Sequence, residues 1–268
     1  MASTAPPRGS APASAHRSAP ARRSASVAVL RAEARLFARE PGALFWIVLF
    51  PSLLLTILGL IPSFREVSAD LGGRRVVDLY VPVVVLLAVV TAGPQAMPPV
   101  LTGYRERGIL RRMSTTPVRP RTLLTAQFAL HGAATLVSAA LAMAIGRIAF
   151  GVALPEQPAG YVLALLVTTA SALALGALVC SVARTQKMAS TLGSAVFFPA
   201  MFTAGVWIPV QAMPETLRSI VHLTPFGAAS EALNRAAGGA WPAWTDLGVT
   251  GLWAVLLGAA AVRWFRWE

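Results

Sequence analysis

Few side chains in this sequence are of the types that carry out catalysis or bind metals. The three histidines, His16, His131 and His222, are far apart, and no metal-ligand spacing joins them. The only cysteine, Cys180, lies inside an apolar run, so no disulfide can form within the chain. Neither GxxxxGKS nor GxxxxGKT occurs, so the chain does not bind ATP through a P-loop. The sequence therefore predicts no catalytic residue and no metal site on this chain.

The densest charge lies in residues 104–124, which read YRERGILRRMSTTPVRPRTLL and hold six arginines, one acid and two prolines. Residues 105–113 predict a short helix that Pro117 prevents from continuing. This helix has an apolar ridge flanked by charge, made of Ile109, Leu110 and Met113. A solvated basic loop accounts for the arginines alone, whereas the added ridge is typical of a surface that docks on another protein.

The composition places the chain in a membrane. Hydrophobic residues make up 56% of it, charged residues make up 13%, and its mean hydropathy is +0.64, whereas about a quarter of the residues in soluble domains are charged. The net charge of +12 by itself could suggest nucleic acid binding, but such proteins carry their basic patch on a charged, soluble fold. Here the basic residues cluster between apolar runs, so we expect the lipid bilayer, and no nucleic acid, as a partner.

Six runs are long and apolar enough to be membrane-spanning helices, which need about 20 residues each. They are residues 43–62, 78–101, 123–150, 161–183, 189–207 and 247–264. Pro51 predicts a kink in the first run, and the prolines of the second predict that its last third is distorted. Residues 208–245 are too polar for a further span and predict one or two short helices at the interface. The predicted fold class is an all-α integral membrane protein with six transmembrane helices.

The basic residues predict the orientation of these spans. Six spans put both termini on one side, and that side holds 17 of the 23 basic residues. Because positively charged loops stay in the cytoplasm, we expect both termini and residues 104–124 to be cytoplasmic. Arginine greatly outnumbers lysine, which is typical of a bacterial genome rich in G and C. We therefore expect a multi-pass protein of a bacterial inner (plasma) membrane.

The N-terminal region divides into two parts ahead of the membrane domain at residues 41–268. Residues 1–25 are rich in Ala, Pro and Ser and contain no acid, so they predict a disordered basic tail. Residues 26–40 predict an amphipathic helix at the membrane interface, and a short solvated lead-in is the alternative. Three arginines recur every four residues on one face of this helix, while Glu33 falls on the apolar side; they are Arg31, Arg35 and Arg39.

Side chains within the spans could line a path for a transported compound. Phe197, Phe198 and Trp207 are candidates because of their type and depth, although anchoring at the membrane interface is the commoner role of such residues. Ionisable side chains are nearly absent from the spans, whereas proton-coupled carriers usually have them in mid-helix. His131, the deepest titratable group, is predicted to be a packed or hydrogen-bonded helix residue.

Two stretches of the sequence resemble one family. RERGILRRMSTTPVRPRTLLTAQ is similar to the first cytoplasmic loop of type-2 ABC exporter permeases, in which an acid-Arg-Gly segment leads to a Thr-Pro and the third span. FFPAMFTAGVWIPVQAMPETLRSIVHLTPFGAASEALNRAAGG resembles that family's fifth span and outer segment, with its Gly-x-x-x-Pro and Met-Pro. The chain thus resembles a type-2 ABC transporter permease of the drug-resistance and antibiotic-export subgroup.

The resemblance implies a homodimer of permeases bound to two cytoplasmic ABC ATPase subunits. The ATPases would bind ATP and Mg²⁺, so this chain would be a transport subunit with no cofactor of its own. Residues 26–40 would form the elbow helix, and residues 208–245 a pair of re-entrant helices. The short basic helix would be the coupling helix, which carries the motion of the ATPases to the spans. Its contact would comprise Glu106, Arg107, Gly108, Leu110, Arg111, Thr116 and Pro117.

The function predicted from this resemblance is export of an amphipathic or lipid-like compound, such as a drug, an antibiotic or a glycolipid. ATP hydrolysis on the partner chain would drive it. Two alternatives stay open, namely a stand-alone carrier driven by protons and a non-transporting membrane scaffold subunit. The carrier predicts transport without an ATPase, and the scaffold predicts no transport at all.

Overall fold

The computed structural model describes residues 19–68, 73–114 and 120–264. Two short antiparallel strands, β1 (Val67–Ser68) and β2 (Arg74–Arg75), lie between the second and third helices. The helices are α1 (Ala19–Phe37), α2 (Pro41–Leu60), α3 (Val76–Glu106), α4 (Ile109–Ser114), α5 (Pro120–Phe150), α6 (Pro158–Val182), α7 (Gln186–Thr203), α8 (Glu215–Val221), α9 (Pro225–Ala237) and α10 (Trp244–Trp264).

Helix α3 is the centre of the fold. Its most apolar stretch is 89% buried, compared with 28–50% for the other long apolar helices. Residues 83–90 are apolar on every side, and a helix of this kind must be surrounded by other elements. Helices α2, α5, α6, α7 and α9 pack around it, and α10 packs against α6 and α9. Helix α3 therefore contacts most of the other long helices of the bundle.

Prolines distort α2 and α3, as the sequence predicts. Helix α2 has a π-helical stretch at Phe45–Leu49, just before Pro51, and α3 has one at Thr91–Ala96, which contains Pro94. Because proline has no N–H group and its ring clashes with the preceding turn, the regular ladder cannot continue through it. A π-helical turn absorbs this defect without ending the helix. Both spans therefore continue through their prolines.

Small residues allow α3 and α6 to approach closely at this distorted stretch. A β-carbon on Gly176 of α6 would collide with the carbonyl oxygen of Gly93 in α3. A β-carbon on Gly93 would likewise collide with the backbone of Ala172. Small side chains such as those of Gly93, Ala172 and Gly176 let helix backbones come together in this way.

Five of the described helices are long and apolar enough to cross a membrane, namely α2, α3, α5, α6 and α10. The predicted fifth span, residues 189–207, corresponds to α7, which ends at Thr203. This helix has only 18 residues and begins with the polar pair Gln186 and Lys187, so its mean hydropathy is lower than that of the others. The chain is thus a helical, multi-pass membrane protein, and the count of six spans stays a prediction.

The N-terminal helix begins earlier than predicted. Helix α1 starts at Ala19 and ends at Phe37, so it includes residues 19–25 of the predicted tail, and residues 1–18 lie outside the described ranges. Arg39 comes after the helix end, whereas Arg31 and Arg35 lie within the helix.

An ion pair fixes the start of α3. Asp78 accepts hydrogen bonds from the backbone N–H of Arg75 and from its guanidinium, and the closest nitrogen–oxygen distance is 2.6 Å. The Asp78 side chain raises the pKa of Arg75, chiefly through its hydrogen bond. Arg75 also donates to the carbonyl oxygen of Phe150 at 2.9 Å. The only acid within the predicted limits of the spans thus caps a helix and ties α3 to the end of α5.

Two helices, α8 and α9, occupy the segment between α7 and α10, as the sequence predicts for residues 208–245. Thr224 caps α9 by accepting a hydrogen bond from the backbone N–H of Gly227 at 3.1 Å. Phe226 and Leu233 of α9 are buried in the main core against α3 and α6. Helix α9 is therefore an integral part of the bundle.

Candidate functional site

The basic segment, residues 104–114, forms the end of α3 and the whole of α4. A turn at Gly108 separates the two helices, and its φ of +67° is a left-handed conformation that favours glycine. Gly108 thereby sets the angle between α3 and α4. Four charged side chains around this turn are exposed, namely Glu106, Arg107, Arg111 and Arg112.

The apolar side of α4 faces the bundle. Leu110 is 5% exposed and belongs to a buried cluster that includes Met97 and Leu101 of α3, Leu123 of α5 and Cys180 of α6. Sequence analysis places Leu110 on a ridge that docks on another protein, whereas in the structure this side chain anchors α4 to the chain's own helices. Thr116 and Pro117, also assigned to the predicted contact, lie outside the described residues.

The end of α3 is tied to the turn between α6 and α7. The Glu106 carboxylate accepts a hydrogen bond from the backbone N–H of Gln186, the first residue of α7, at 2.9 Å. Arg105 donates to the carbonyl oxygen of Ala183, just after α6, and to that of Cys180 at 3.4 Å. An acid at the start of a helix and a cation at the end of one complement their dipoles. The two charged neighbours therefore connect three helices.

Arg107 packs against its own helix. Its guanidinium carbon lies 5.7 Å from the centre of the Tyr104 ring, and its Nε donates to the carbonyl oxygen of Gly103 at 3.1 Å. Cation–π contacts of this kind occur within about 6 Å of the ring centroid. The Arg107 side chain is thus oriented over the last turn of α3 while remaining exposed.

A buried carboxylate joins α1 to this region. Glu33 is 8% exposed, and its Oε2 accepts hydrogen bonds from the Tyr104 hydroxyl at 3.0 Å and from Nε2 of Gln127 at 2.6 Å. Burial raises the pKa of Glu33, the negative charge of Glu40 adds to the increase, and the two hydrogen bonds offset part of it. Sequence analysis noted Glu33 only as an acid on the apolar face, and its partners explain that position.

The three arginines of the predicted elbow helix point away from this buried contact. Arg31, Arg35 and Arg39 are exposed, whereas Glu33 faces α5. Exposed apolar side chains on α1 include Val27, Leu30 and Leu36. The surface of α1 thus presents both arginines and apolar groups, which is the composition of helices that lie at a membrane interface.

A cavity of about 620 Å³ runs along one face of α3. Its α3 wall extends from Leu87 to Tyr104, which at 1.5 Å per residue is about 25 Å, and Arg107 lines the cavity just beyond the end of this helix. Trp46 and Phe50 of α2 also line the cavity. This volume is within the range of about 300–1,000 Å³ that is typical of small-molecule sites.

The three predicted substrate-path residues all line this cavity. Phe197 and Phe198 lie in α7, with ring centres 5.7 Å apart, and Trp207 follows that helix. The structure therefore brings them together and adds the aromatic residues of α2 to the same walls. Phe198 and Trp207 are each 59% exposed, so the cavity is open on this side.

Polar groups in the cavity were not singled out from the sequence. Thr91 and Gln95 line its middle, where the π-helical stretch of α3 lies, and Gln95 exchanges hydrogen bonds with Ser194 of α7 at 3.3–3.4 Å. Charged Glu40 and Arg107 line it near the basic segment. The cavity thus has apolar, aromatic walls, an uncharged polar centre and a charged end. Such a lining suits an amphipathic compound.

The remaining reactive side chains give no sign of another site. Within the ranges that the structure covers, no group of three or more His, Cys, Asp or Glu side chains could hold a metal ion. His131 is buried in α5, with Nδ1 2.9 Å from the carbonyl oxygen of Gln127, as predicted for a hydrogen-bonded helix residue. The basic segment and the cavity are therefore the functional candidates, and they share the same helix.

Comparison with known proteins covers most of this architecture. A family model described as ABC-2 type transporter matches residues 25–236. The matched range includes most of α1, the basic segment, the residues that line the cavity and all of α9 but its last residue. No curated protein matches the chain.

Proposed function

Because the chain belongs to the ABC-2 type transporter family, in which it is a permease subunit, we propose that it exports an amphipathic compound from a bacterial cell. Separate cytoplasmic ABC ATPase subunits supply the energy, and two copies of this chain form the membrane pathway. In this proposal six helices span the inner membrane, both termini are cytoplasmic, and α8 and α9 form the re-entrant pair.

One observation carries the proposal: the helix that ends in the basic segment is also the main wall of the cavity. Helix α3 lines the cavity from Leu87 to Tyr104, and the chain then turns at Gly108 into α4. A force applied to α4 therefore acts on the cavity through a single continuous element. A loop that only connects two spans would not need to form a helix joined directly to the end of the central helix.

The coupling contact consists, in this proposal, of the exposed charged residues of the basic segment. Arg107 and Arg111, which are exposed, would contact acidic groups of an ATPase, whereas Leu110 holds α4 against the permease. Glu106 passes the movement on, because its carboxylate is bonded to the first residue of α7. Thr116 and Pro117, which come between α4 and α5 in the sequence, would complete the contact.

The lining of the cavity supports an amphipathic or lipid-like substrate. Its aromatic walls remove apolar surface from water, and its polar centre at Thr91 and Gln95 satisfies one or two hydrogen-bonding groups. Phe197, Phe198 and Trp207 contact the substrate in this scheme. Drugs, antibiotics and glycolipids with an apolar body and a polar portion belong to this class.

The proposal is tested by expressing the chain with a candidate ATPase and measuring both ATP hydrolysis and export. The double substitution Glu106→Ala and Arg107→Ala is expected to lower export per ATP hydrolysed while the protein still inserts in the membrane. Phe198→Ala is expected to lower export without reducing binding of the ATPase. Ile148→Ala, on the 85% exposed side chain of an α5 residue outside the cavity, is the matched control.

Two results would contradict the proposal. Export that persists without any ATPase and stops when the proton gradient is dissipated indicates a stand-alone carrier. An ATPase that does not co-purify in mild detergent, together with an absence of export, indicates a scaffold subunit.

A further inference from the structure

Glu33 stands apart from the other ionisable residues of α1. The nearby arginines, Arg31 and Arg35, are exposed, whereas the Glu33 side chain is turned inward and is 8% exposed. Burial of a carboxylate is costly unless hydrogen bonds compensate for the lost water. A helix that needed only to lie on the membrane surface would not require a buried acid. The buried position of Glu33 therefore indicates that its hydrogen bonds to other helices have a function.

That contact converges on one atom. Oε2 of Glu33 receives the Tyr104 hydroxyl at 3.0 Å and Nε2 of Gln127 at 2.6 Å. Tyr104 is in the last turn of α3, and Gln127 is in the second turn of α5. These are the two helices that flank α4 in the sequence. A single carboxylate oxygen thus links α1 to the helices that precede and follow α4.

A second contact keeps α1 on α5. The ring of Phe37 meets the ring of His131 edge to face, with centres 5.2 Å apart. His131 is one turn beyond Gln127, and its Nδ1 lies 2.9 Å from the carbonyl oxygen of Gln127. Because this contact does not involve α3, α1 stays attached to α5 even when the bond to Tyr104 is broken. The bond between Glu33 and Tyr104 is therefore the part of the link that a movement of α3 would strain.

We propose that Glu33 is a positioning residue for energy coupling, which fixes the end of α3 relative to α1 and α5 through its acceptor oxygen. This inference rests on the proposed function, since it assigns Glu33 a part in the transfer of motion from α4 to the cavity. Hydrogen bonds weaken steeply as they lengthen and bend. A shift of the end of α3 by more than a fraction of a hydrogen-bond length must therefore carry α1 along or break the link to Tyr104.

The proposal is tested with the full chain and its ATPase, by measuring the amount exported per ATP hydrolysed. Glu33→Leu removes both hydrogen bonds and is expected to lower this ratio about tenfold, since one hydrogen bond is worth about a factor of 3 to 10. Glu33→Gln keeps an acceptor oxygen, so its amount exported per ATP is expected to stay within about twofold of the wild-type value. This change is smaller than the one expected from the loss of a single hydrogen bond. Ala32→Gln, at the exposed neighbouring position, is the control.

The variant Tyr104→Phe removes a single hydroxyl and keeps the proposal falsifiable if Glu33→Leu does not fold. It is expected to lower export per ATP about threefold, and the double variant with Glu33→Leu is expected to be no worse than Glu33→Leu alone, because both remove the same bond. If the Tyr104→Phe variant exports as much per ATP hydrolysed as the wild type does, the proposed role of Glu33 is wrong. Absence of ATP-driven export in the wild type would instead overturn the proposed function.

Discussion

Replacing Leu110 by Ala is expected to release α4 from the bundle while the membrane helices stay folded. Helix α4 has six residues, and isolated helices shorter than about 12–15 residues are marginal in water. Its stability must therefore come from packing, and among the described side chains of α4 Leu110 is the buried one. The cluster that contains Leu110 and Leu123 is separate from the main core around α3. The damage is thus confined to the basic segment.

The size of this effect follows from the loss of buried side-chain atoms. Truncation of a buried leucine to alanine costs about 2–5 kcal/mol, and about 1.4 kcal/mol corresponds to a tenfold change in an equilibrium constant. Even a cost of about 2 kcal/mol lowers the ratio of docked to undocked α4 about 30-fold. Backbone amides of Ile109–Ser114 are expected to exchange their hydrogens faster by up to that factor, whereas residues 83–90 of α3 keep their wild-type rates.

Hydrogen exchange followed by mass spectrometry measures this directly, with Leu110→Met as the matched control. That substitution conserves volume and costs less than about 1.5 kcal/mol, so exchange in α4 should stay close to that of the wild type. Unchanged exchange in the Leu110→Ala protein would show that α4 is held by other contacts. Faster exchange throughout α3 would show that α4 is not a separate unit.

Two further predictions concern helix packing and pH. Gly176→Leu is expected to prevent α3 and α6 from packing, so that little monodisperse protein is recovered in size-exclusion chromatography, whereas Gly248→Leu, at a position with open space around it, is recovered normally. Burial raises the pKa of Glu33 above its value in the unfolded chain, so the folded protein binds the proton more readily. Lowering the pH from about 7 to about 5 is therefore expected to raise the melting temperature of the wild type relative to that of Glu33→Gln. Equal shifts in the two proteins would contradict this assignment.

The membrane helices could be predicted from the sequence because each is indicated by a continuous run of apolar residues within the helix itself. Residues 161–183 predict a span, and the structure has α6 at Pro158–Val182. The prolines of the second span likewise predict its distortion at Thr91–Ala96. The weak case is α7, where the polar start at Gln186 shortens the apolar run. The position of α7 is determined by its contacts with neighbouring helices rather than by its own hydropathy.

The contacts of the basic segment could not be predicted, because they join residues far apart in the chain. Helical periodicity places Glu33 on the apolar side of α1, but it carries no information about which groups lie opposite. The partners of Glu33 are Tyr104 and Gln127, which are 71 and 94 positions away. Similarly, the ridge that contains Leu110 indicates a buried face without indicating whether the chain itself or a partner buries it.

The distorted middle of α3 gives a physical reason why a movement at α4 would change one part of the cavity more than the other. Gly93 is held against the backbone of α6 with no room for a side chain, so this point of α3 resists displacement. The end of α3 beyond it is held by polar contacts at Tyr104 and Glu106, which break and re-form more easily than close packing. A force on α4 should therefore pivot α3 near Gly93 and move the cavity wall between Gln95 and Arg107, while the wall at Leu87 stays in place.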